Sequence, residues 1–264
     1  MTPASVNGTT IHYRFDGPEA GPVVMLSNSL ASNLTMWDLQ IPALTGAGYR
    51  VLRFDTRGHG QSAVPSGPYS IAMLAADAIG LLDVLGIRKV HFCGLSLGGM
   101  IGQALGAFYG ERLITLSLCD TSSFMDQPEI WKERIEIVMR DGTKVLADTA
   151  IDRWFTQAGQ KRLPGEVEKA RQMILSTPAA GYCGCGAAIR DLDLREPIRA
   201  IKTPTLIIVG EQDEGTPVSA SEFIHERIAS SILKIIPEAA HLTNVEQSEI
   251  FNAILLEFLR SHKA

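Results

Sequence analysis

The sequence predicts an α/β fold: a mostly parallel central sheet covered by helices, with a helical cap insertion. Three observations predict it. Short apolar runs alternate with amphipathic runs of helical period. The short runs are apolar almost throughout, as strands buried on both faces must be. The alternation then stops between about Thr121 and Leu194, where helical periodicity continues without any strand-like run.

Each element follows from its own stretch. VNGTTIHYRF alternates on both sides of Asn7-Gly8, which suggests an opening hairpin. Buried strands are read at 22–27 (PVVMLS), 49–54 (YRVLRF), 89–94 (KVHFCG), 113–119 (LITLSLC), 205–210 (TLIIVG) and 232–237 (ILKIIP). Helical periodicity marks 71–86, 97–110, 218–229 and 246–260 between them. Inside the insertion it marks 128–140, 143–155, 164–176 and 178–190, a region holding Trp131 and Trp154. The expected division is a sheet core of 1–120 and 195–264 and a cap of 121–194.

Composition narrows the function classes. The 264 residues are 45% hydrophobic and 20% charged, which fits a soluble globular chain. A net charge of -5 without a basic run argues against a nucleic-acid surface or an anionic-membrane patch. The stretch MTPASVNGTT lacks a basic segment followed by an apolar core, so no secretory leader is expected. No uncharged apolar run approaches the roughly 18 residues of a membrane helix. Cys183 and Cys185 are too close together for the usual zinc spacing and lack a second ligand pair. They and Cys93 and Cys119 are read as reduced structural thiols of a cytoplasmic protein. No zinc site is expected from this spacing.

In a parallel sheet the reactive groups lie at the carboxyl ends of the strands. After strand 89–94 comes Gly94-Leu95-Ser96-Leu97-Gly98, a G-x-S-x-G match between a strand and a helix. A serine on so tight a turn sits in strained backbone, and its neighbours have little room for a Cβ. The turn would lift the Ser96 hydroxyl above the sheet. It would also aim the Leu97 amide and a helix N-terminus at an attacked carbonyl. The bland alternative is a glycine-rich turn with an idle serine.

A serine hydroxyl needs a base. His241, in PEAAHLTNVEQ after the last strand, occupies the loop from which a base can reach Ser96. His59, in DTRGHGQS, is the rival and is read as shaping its loop. His12 and His91 fall in strand patterns, and His225 and His262 in or beyond helices. Asp213, after strand 205–210, is the expected acid; Asp120, after strand 113–119, is a second possible source. Glu211 and Glu214 are read as solvated neighbours. The second oxyanion donor is expected from Ser27-Asn28-Ser29-Leu30, at the Leu30 amide, with Ser29 as alternative.

Together these residues resemble the α/β-hydrolase fold over nearly the whole chain. Within it the sequence looks like the 3-oxoadipate enol-lactonases. The matching stretches are LSNSLASNLTMWDLQIPAL, RVLRFDTRGHGQSAVPSGPYSI, HFCGLSLGGMIGQ, GYCGCGAAIRDLDLR and AAHLTNVEQ. The first departs from the His-Gly frequent in this loop across the superfamily. Leu97 stands where methionine is common, which keeps the backbone donor. The elbow is shared by many esterases, so the N-terminal and cap stretches carry the narrower resemblance.

The resemblance implies a serine hydrolase that opens a small acidic enol-lactone to 3-oxoadipate, with no cofactor. Such a substrate carries a carboxylate, so the pocket should hold a cation, and an arginine grips a carboxylate bidentately. Arg134 lies one helical turn after Trp131, on the same face. Ser29, Trp131, Arg134 and Trp154 are the expected substrate contacts; Arg153 and Arg190 are rivals for the carboxylate. A core tryptophan beside a solvated arginine is the bland alternative. Two other functions stand beside this one: a broad carboxylesterase or perhydrolase on the same triad, and a receptor signalling through its cap. Preference for an acidic over a neutral ester separates the first, and slow release near a single turnover would mark the second.

Overall fold

The computed structural model describes residues 3–262. Asn7 and Gly8 both take positive φ (46° and 72°), as a two-residue hairpin turn requires. They join β1 (Ala4–Val6) to β2 (Thr9–Ile11), with Val6 opposite Thr9. The alternation continues beyond this pair, but the hairpin does not. His12 turns out of it, its N–H held by Ser62 Oγ and its Nδ1 by Asp55 Oδ2, both at 2.9 Å. The chain then enters the main sheet as β3 (Tyr13–Asp16).

The core elements follow in the expected order. They are β4 (Val23–Ser27), α1 (Ile41–Gly46), β5 (Arg50–Phe54), α2 (Ile71–Val84), β6 (Val90–Leu95), α3 (Leu97–Phe108) and β7 (Leu113–Cys119). The insertion holds α4 (Pro128–Asp141), α5 (Ala147–Trp154), α6 (Gln157–Arg162), α7 (Pro164–Ser176) and α8 (Ala179–Arg190). The core resumes with β8 (Thr205–Gly210), α9 (Val218–Arg227), β9 (Ser231–Ile236), α10 (Thr243–Glu246) and α11 (Ser248–Ser261). The seven strands of the main sheet run β3-β5-β4-β6-β7-β8-β9. Only the β3–β5 pair is antiparallel. The inner strands β6 and β8 are buried along their whole length, which explains their unbroken apolar sequence.

Two stretches differ from the periodicity. The run 143–155 is a 3-10 turn, Thr143–Leu146, followed by α5, and α6 then forms as a separate short helix. Phe155 is extended, and the Thr156 side chain caps α6 by accepting from Gly159 N at 2.9 Å. The run 246–260 is likewise split, because Gln247 leaves helical geometry (φ -125°, ψ 51°) between α10 and α11.

The glycines of GYCGCG seat the cap on the core. A Cβ on Gly181 would overlap the Gly58 backbone, and one on Gly184 would meet the Tyr69 ring. Gly67 likewise approaches Gly184, whose carbonyl accepts from Tyr69 N at 3.1 Å. Helix α8 thus lies directly on the loop between β5 and α2. All four cysteines are free and buried, and Cys93 and Cys119 lie 3.8 Å apart, sulfur to sulfur. Among the described residues no helix is long and apolar enough to cross a membrane.

Candidate active site

Ser96 stands between β6 and α3 with φ 58° and ψ -113°, a backbone conformation L-residues rarely adopt. The surroundings enforce it. Ser96 N donates to Cys119 O at 2.8 Å on β7, and Ser96 O accepts from Thr121 Oγ1 at 2.8 Å and from Met100 N at 3.0 Å. Close approach explains the flanking glycines. A Cβ on Gly94 would overlap the Gly98 carbonyl, and one on Gly98 would overlap the Ser27 carbonyl.

Two amides here are unengaged. Ser29 N donates to Met36 Sδ, Ala31 N to His59 Nε2, Ser96 N to Cys119 O and Gly98 N to Asn28 O. Leu30 N and Leu97 N lie between these engaged neighbours and donate to nothing among the described residues. A buried N–H without an acceptor is unfavourable, so a pair of them beside a serine fits an oxyanion. Ser29 N is already used, which favours Leu30 over Ser29 as the loop donor.

His59 explains the shape of that loop. Ala31 takes φ 60°, unusual for a residue with a side chain, and its N–H points at His59 Nε2, 3.1 Å away. His59 Nδ1 lies 3.3 Å from Arg57 O, so the neutral tautomer with its proton on Nδ1 satisfies both contacts. Burial pushes its pKa down to about 4, against the opposing Arg57 hydrogen bond and the Asp55 charge. His59 is therefore a neutral strut.

His241 and Asp213 meet on the other side. His241 Nδ1 is 2.8 Å from Asp213 Oδ2, and both side chains are buried. Asp213 Oδ1 accepts from Gly215 N (2.8 Å) and Thr216 N (3.0 Å), and Oδ2 accepts from Thr216 Oγ1 (2.7 Å). Burial pushes the Asp213 carboxyl up, but His241 and the Thr216 hydrogen bonds outweigh it and leave the carboxyl below its ordinary value. Burial pushes His241 down, and the Asp213 charge and hydrogen bond outweigh it and leave the imidazole above its ordinary value. Asp120 is elsewhere engaged. It accepts from Gly210 N and Thr243 Oγ1, and burial together with the Asp213 charge raises its pKa well above normal. The two hydrogen bonds and His241 oppose that rise without cancelling it.

Ser96 and His241 both line one cavity of about 520 Å³, within the usual range of small-molecule sites. No Ser96–His241 hydrogen bond closes in this structure. Catalytic contacts are often long before substrate binds. The cavity wall includes Ser29, Leu30, Trp131, Arg134, Trp154 and Tyr182. Arg153 lines it too, whereas Arg190 pairs with Asp191 at 2.7 Å and is absent from the wall. The Arg134 guanidinium stacks over the Trp131 ring, 4.7 Å from its centroid. Neither Arg134 nor Arg153 has a carboxylate within 4.0 Å among the described residues. Burial pushes the Tyr182 phenol up to about 12, and both guanidinium groups pull against that rise.

This geometry can hold a carbonyl between a hydroxyl, a histidine and two backbone donors, beneath two cations. A scan of family models matches residues 22–248 to the alpha/beta hydrolase fold. The chain belongs to the α/β-hydrolase family. It is a carboxylic-ester hydrolase of the branch that contains the 3-oxoadipate enol-lactonases. The 3-oxoadipate enol-lactonase 2 of Acinetobacter baylyi is 38% identical over 92% of this chain and 90% of its own. The crystal structure of an enol-lactonase from Burkholderia xenovorans LB400 superimposes with a TM-score of 0.95 at 38% identity, over 98% of this chain and 100% of the other. A malate-bound thermophilic esterase from Thermogutta terrifontis superimposes at 0.93 with 31% identity, over 100% of both chains.

The sequence did not single out Thr216 and Tyr182. A signal for the first exists: threonine three residues after Asp213 allows a side-chain turn of the Asx kind. Tyr182 reaches the cavity from α8, and no local pattern announces that.

Proposed function

We propose that this hydrolase opens 3-oxoadipate enol-lactone to 3-oxoadipate, with Ser96, His241 and Asp213 as its triad. The observation that carries the proposal is the pair of cap cations, Arg134 and Arg153, which pair with no carboxylate among the described residues and line the cavity of Ser96 and His241. Arg134 is half-buried and Arg153 exposed, so both guanidinium groups are free to offer a substrate carboxylate charge-assisted hydrogen bonds at the cavity wall. The similarity to enol-lactonases over nearly the full chain supports the same substrate.

In the first half-reaction Ser96 Oγ attacks the lactone carbonyl while His241 Nε2 takes its proton. The carbonyl oxygen becomes an oxyanion between the Leu30 and Leu97 amides. Asp213 holds the Nδ1 proton and stabilises the imidazolium. Collapse breaks the ring C–O bond, and the enol oxygen receives the proton from His241. The enol then ketonises, which removes the nucleophile that would reclose the ring. In the second half-reaction His241 takes a proton from water, hydroxide attacks the acyl carbon, and the C–O bond to Ser96 breaks as His241 returns the proton. Arg134, pre-set against Trp131, grips the acetate carboxylate throughout.

The test compares Arg134→Ala and wild type on the acidic lactone and on a neutral p-nitrophenyl ester. A charge-assisted hydrogen bond contributes about 1.5–3 kcal/mol, so kcat/KM for the lactone should fall roughly 10- to 150-fold. The neutral ester should be nearly unaffected. Equal losses on both would make Arg134 a support of the cap, and no loss on either would remove it from the carboxylate site.

A further inference from the structure

Glu246 is a buried carboxylate that the triad does not use. It ends α10 and is 3% exposed. Its oxygens accept from Ala240 N at 2.9 Å, from Thr156 N at 3.1 and 3.2 Å, and from Thr156 Oγ1 at 2.5 Å. No lysine, arginine or histidine pairs with this carboxylate among the described residues. Arg162 donates instead to the Glu246 backbone carbonyl, at 2.8 Å. Every contact of the side chain is therefore an acceptance from a group of fixed direction. The Thr156 hydroxyl is directed too, because it accepts from Gly159 N while donating to Glu246.

The partners belong to two segments far apart in sequence. Ala240 immediately precedes His241. Thr156 follows Trp154, which lines the cavity. A second bond ties the same segments, Leu242 N to Trp154 O at 3.0 Å. The residues on both sides of His241 are thus fastened to 154–156 of the cap, one directly and one through Glu246. The His241 loop has no regular structure between β9 and α10, so these bonds add substantially to its definition.

We infer that Glu246 is a positioning residue that makes the cap segment Trp154–Thr156 and the His241 loop one unit. Seating of Trp154 over a bound substrate and approach of His241 to Ser96 are then a single movement. The Ser96–His241 hydrogen bond is open in this structure, so such a movement has a function: it closes the bond when the cavity fills. This inference rests on His241 being the base.

Glu246→Gln is the sharp perturbation. One carboxylate oxygen becomes an NH2, and either orientation sets it against an N–H, of Ala240 or of Thr156. Thr156→Val is the milder one: it keeps the Thr156 N–H to Glu246 and removes the hydroxyl link together with the side-chain cap of α6. Three measurements follow each variant: kcat and KM for a neutral p-nitrophenyl ester, the rate at which a fluorophosphonate labels Ser96, and the acid midpoint of kcat/KM against pH.

Displacing a catalytic group by about 1 Å costs on the order of 10²-fold, so Glu246→Gln should lose roughly 10- to 100-fold in kcat and in labelling rate. KM should change much less. The acid midpoint should fall, because a looser His241–Asp213 contact no longer offsets burial of the imidazole. Thr156→Val should move the same readouts in the same direction by less. Combination with Trp154→Ala should give less than the product of the separate losses, since the two act through one unit.

Folded Glu246→Gln with native kcat, labelling rate and midpoint would overturn the inference, as would a variant that loses only thermal stability. If Glu246→Gln does not fold, Thr156→Val decides, and an unchanged kcat there overturns it. The base assignment fails separately: it falls if His241→Asn still labels at the native rate.

Discussion

Replacing Asp213 by asparagine changes one atom, and the structure dictates where that atom goes. Oδ1 accepts two backbone amides, from Gly215 and Thr216. Turning the new NH2 toward them would strand two buried N–H groups, at about 1–3 kcal/mol each. The amide carbonyl must therefore stay there, and the NH2 faces His241 Nδ1 and Thr216 Oγ1. His241 then has to offer a lone pair at Nδ1, which places its proton on Nε2. That is the wrong tautomer for taking a proton from Ser96. The expected loss in kcat is about 10³- to 10⁴-fold, or roughly 4–5.5 kcal/mol of transition-state stabilisation. The residual activity also carries a pH signature. Burial alone lowers His241, and the Asp213 charge is what reverses it. With that charge gone the imidazole protonates at lower pH, so the acid limb of kcat/KM shifts to lower pH than in wild type. The assay is kcat/KM on a neutral ester from pH 4 to pH 9, beside Asp120→Asn as control. Near-native kcat with an unmoved acid limb would refute the reasoning, and collapse in Asp120→Asn alone would transfer the acid role to Asp120.

Ser96→Ala should lose about 10⁴-fold or more in kcat with the fold intact, and near-native turnover in pure protein would end the serine mechanism. Ser96→Gly should be equally inactive but more stable than Ser96→Ala, by about 1 kcal/mol, because relief of the strained φ outweighs the added backbone freedom; thermal unfolding of the pair checks the order. His59→Leu removes the acceptor of the Ala31 amide and should cost on the order of 10²-fold in kcat on acidic and neutral substrates alike, through the Leu30 donor; a folded variant with native kcat would contradict this. The His59 pKa is lowered on folding, so between about pH 4 and 6.5 the unfolded chain binds more protons and stability should rise with pH there; urea midpoints at pH 4.5 and 7 test it, and His59→Gln should flatten the slope in part, since His91 titrates in the same window.

What was legible in the sequence was what local chemistry writes into short stretches. Gly94-Leu95-Ser96-Leu97-Gly98 has its glycines because the turn brings backbone against backbone, and the residues that collide are themselves nearby or on the adjacent β4. Asp213 and His241 followed from topology, since each lies just beyond a parallel strand. The 3-10 start of 143–155, the separate α6 after it and the break in 246–260 were not visible, because a 3-10 turn, the Thr156 cap and the Gln247 backbone torsion leave apolar spacing almost unchanged. Glu246 was invisible for a different reason. Its meaning lies in Thr156, ninety positions away, and a glutamate in a helical pattern reads as solvated until the two segments are placed together.

The division of labour between core and cap has a physical basis. In the proposed reaction the core contributes Ser96, the Leu30 and Leu97 amides, His241 and Asp213, none of which senses more than a carbonyl. The cap contributes charge and shape: Trp131 and Arg134 from α4, Arg153 and Trp154 from α5, Tyr182 from α8. Three helices meeting over one cavity can be repacked without disturbing the strained turn beneath them. Under the proposed function, Arg134 is the residue through which the cap discriminates. Stacked on Trp131, its guanidinium is already ordered, so less rotamer entropy is lost when a carboxylate arrives. A lysine there would keep the charge but lose the planar stack and the two parallel hydrogen bonds. Arg134→Lys should therefore recover only part of the lactone activity lost in Arg134→Ala. Full recovery would mean that the cap reads charge alone, and that the indole beneath Arg134 serves packing.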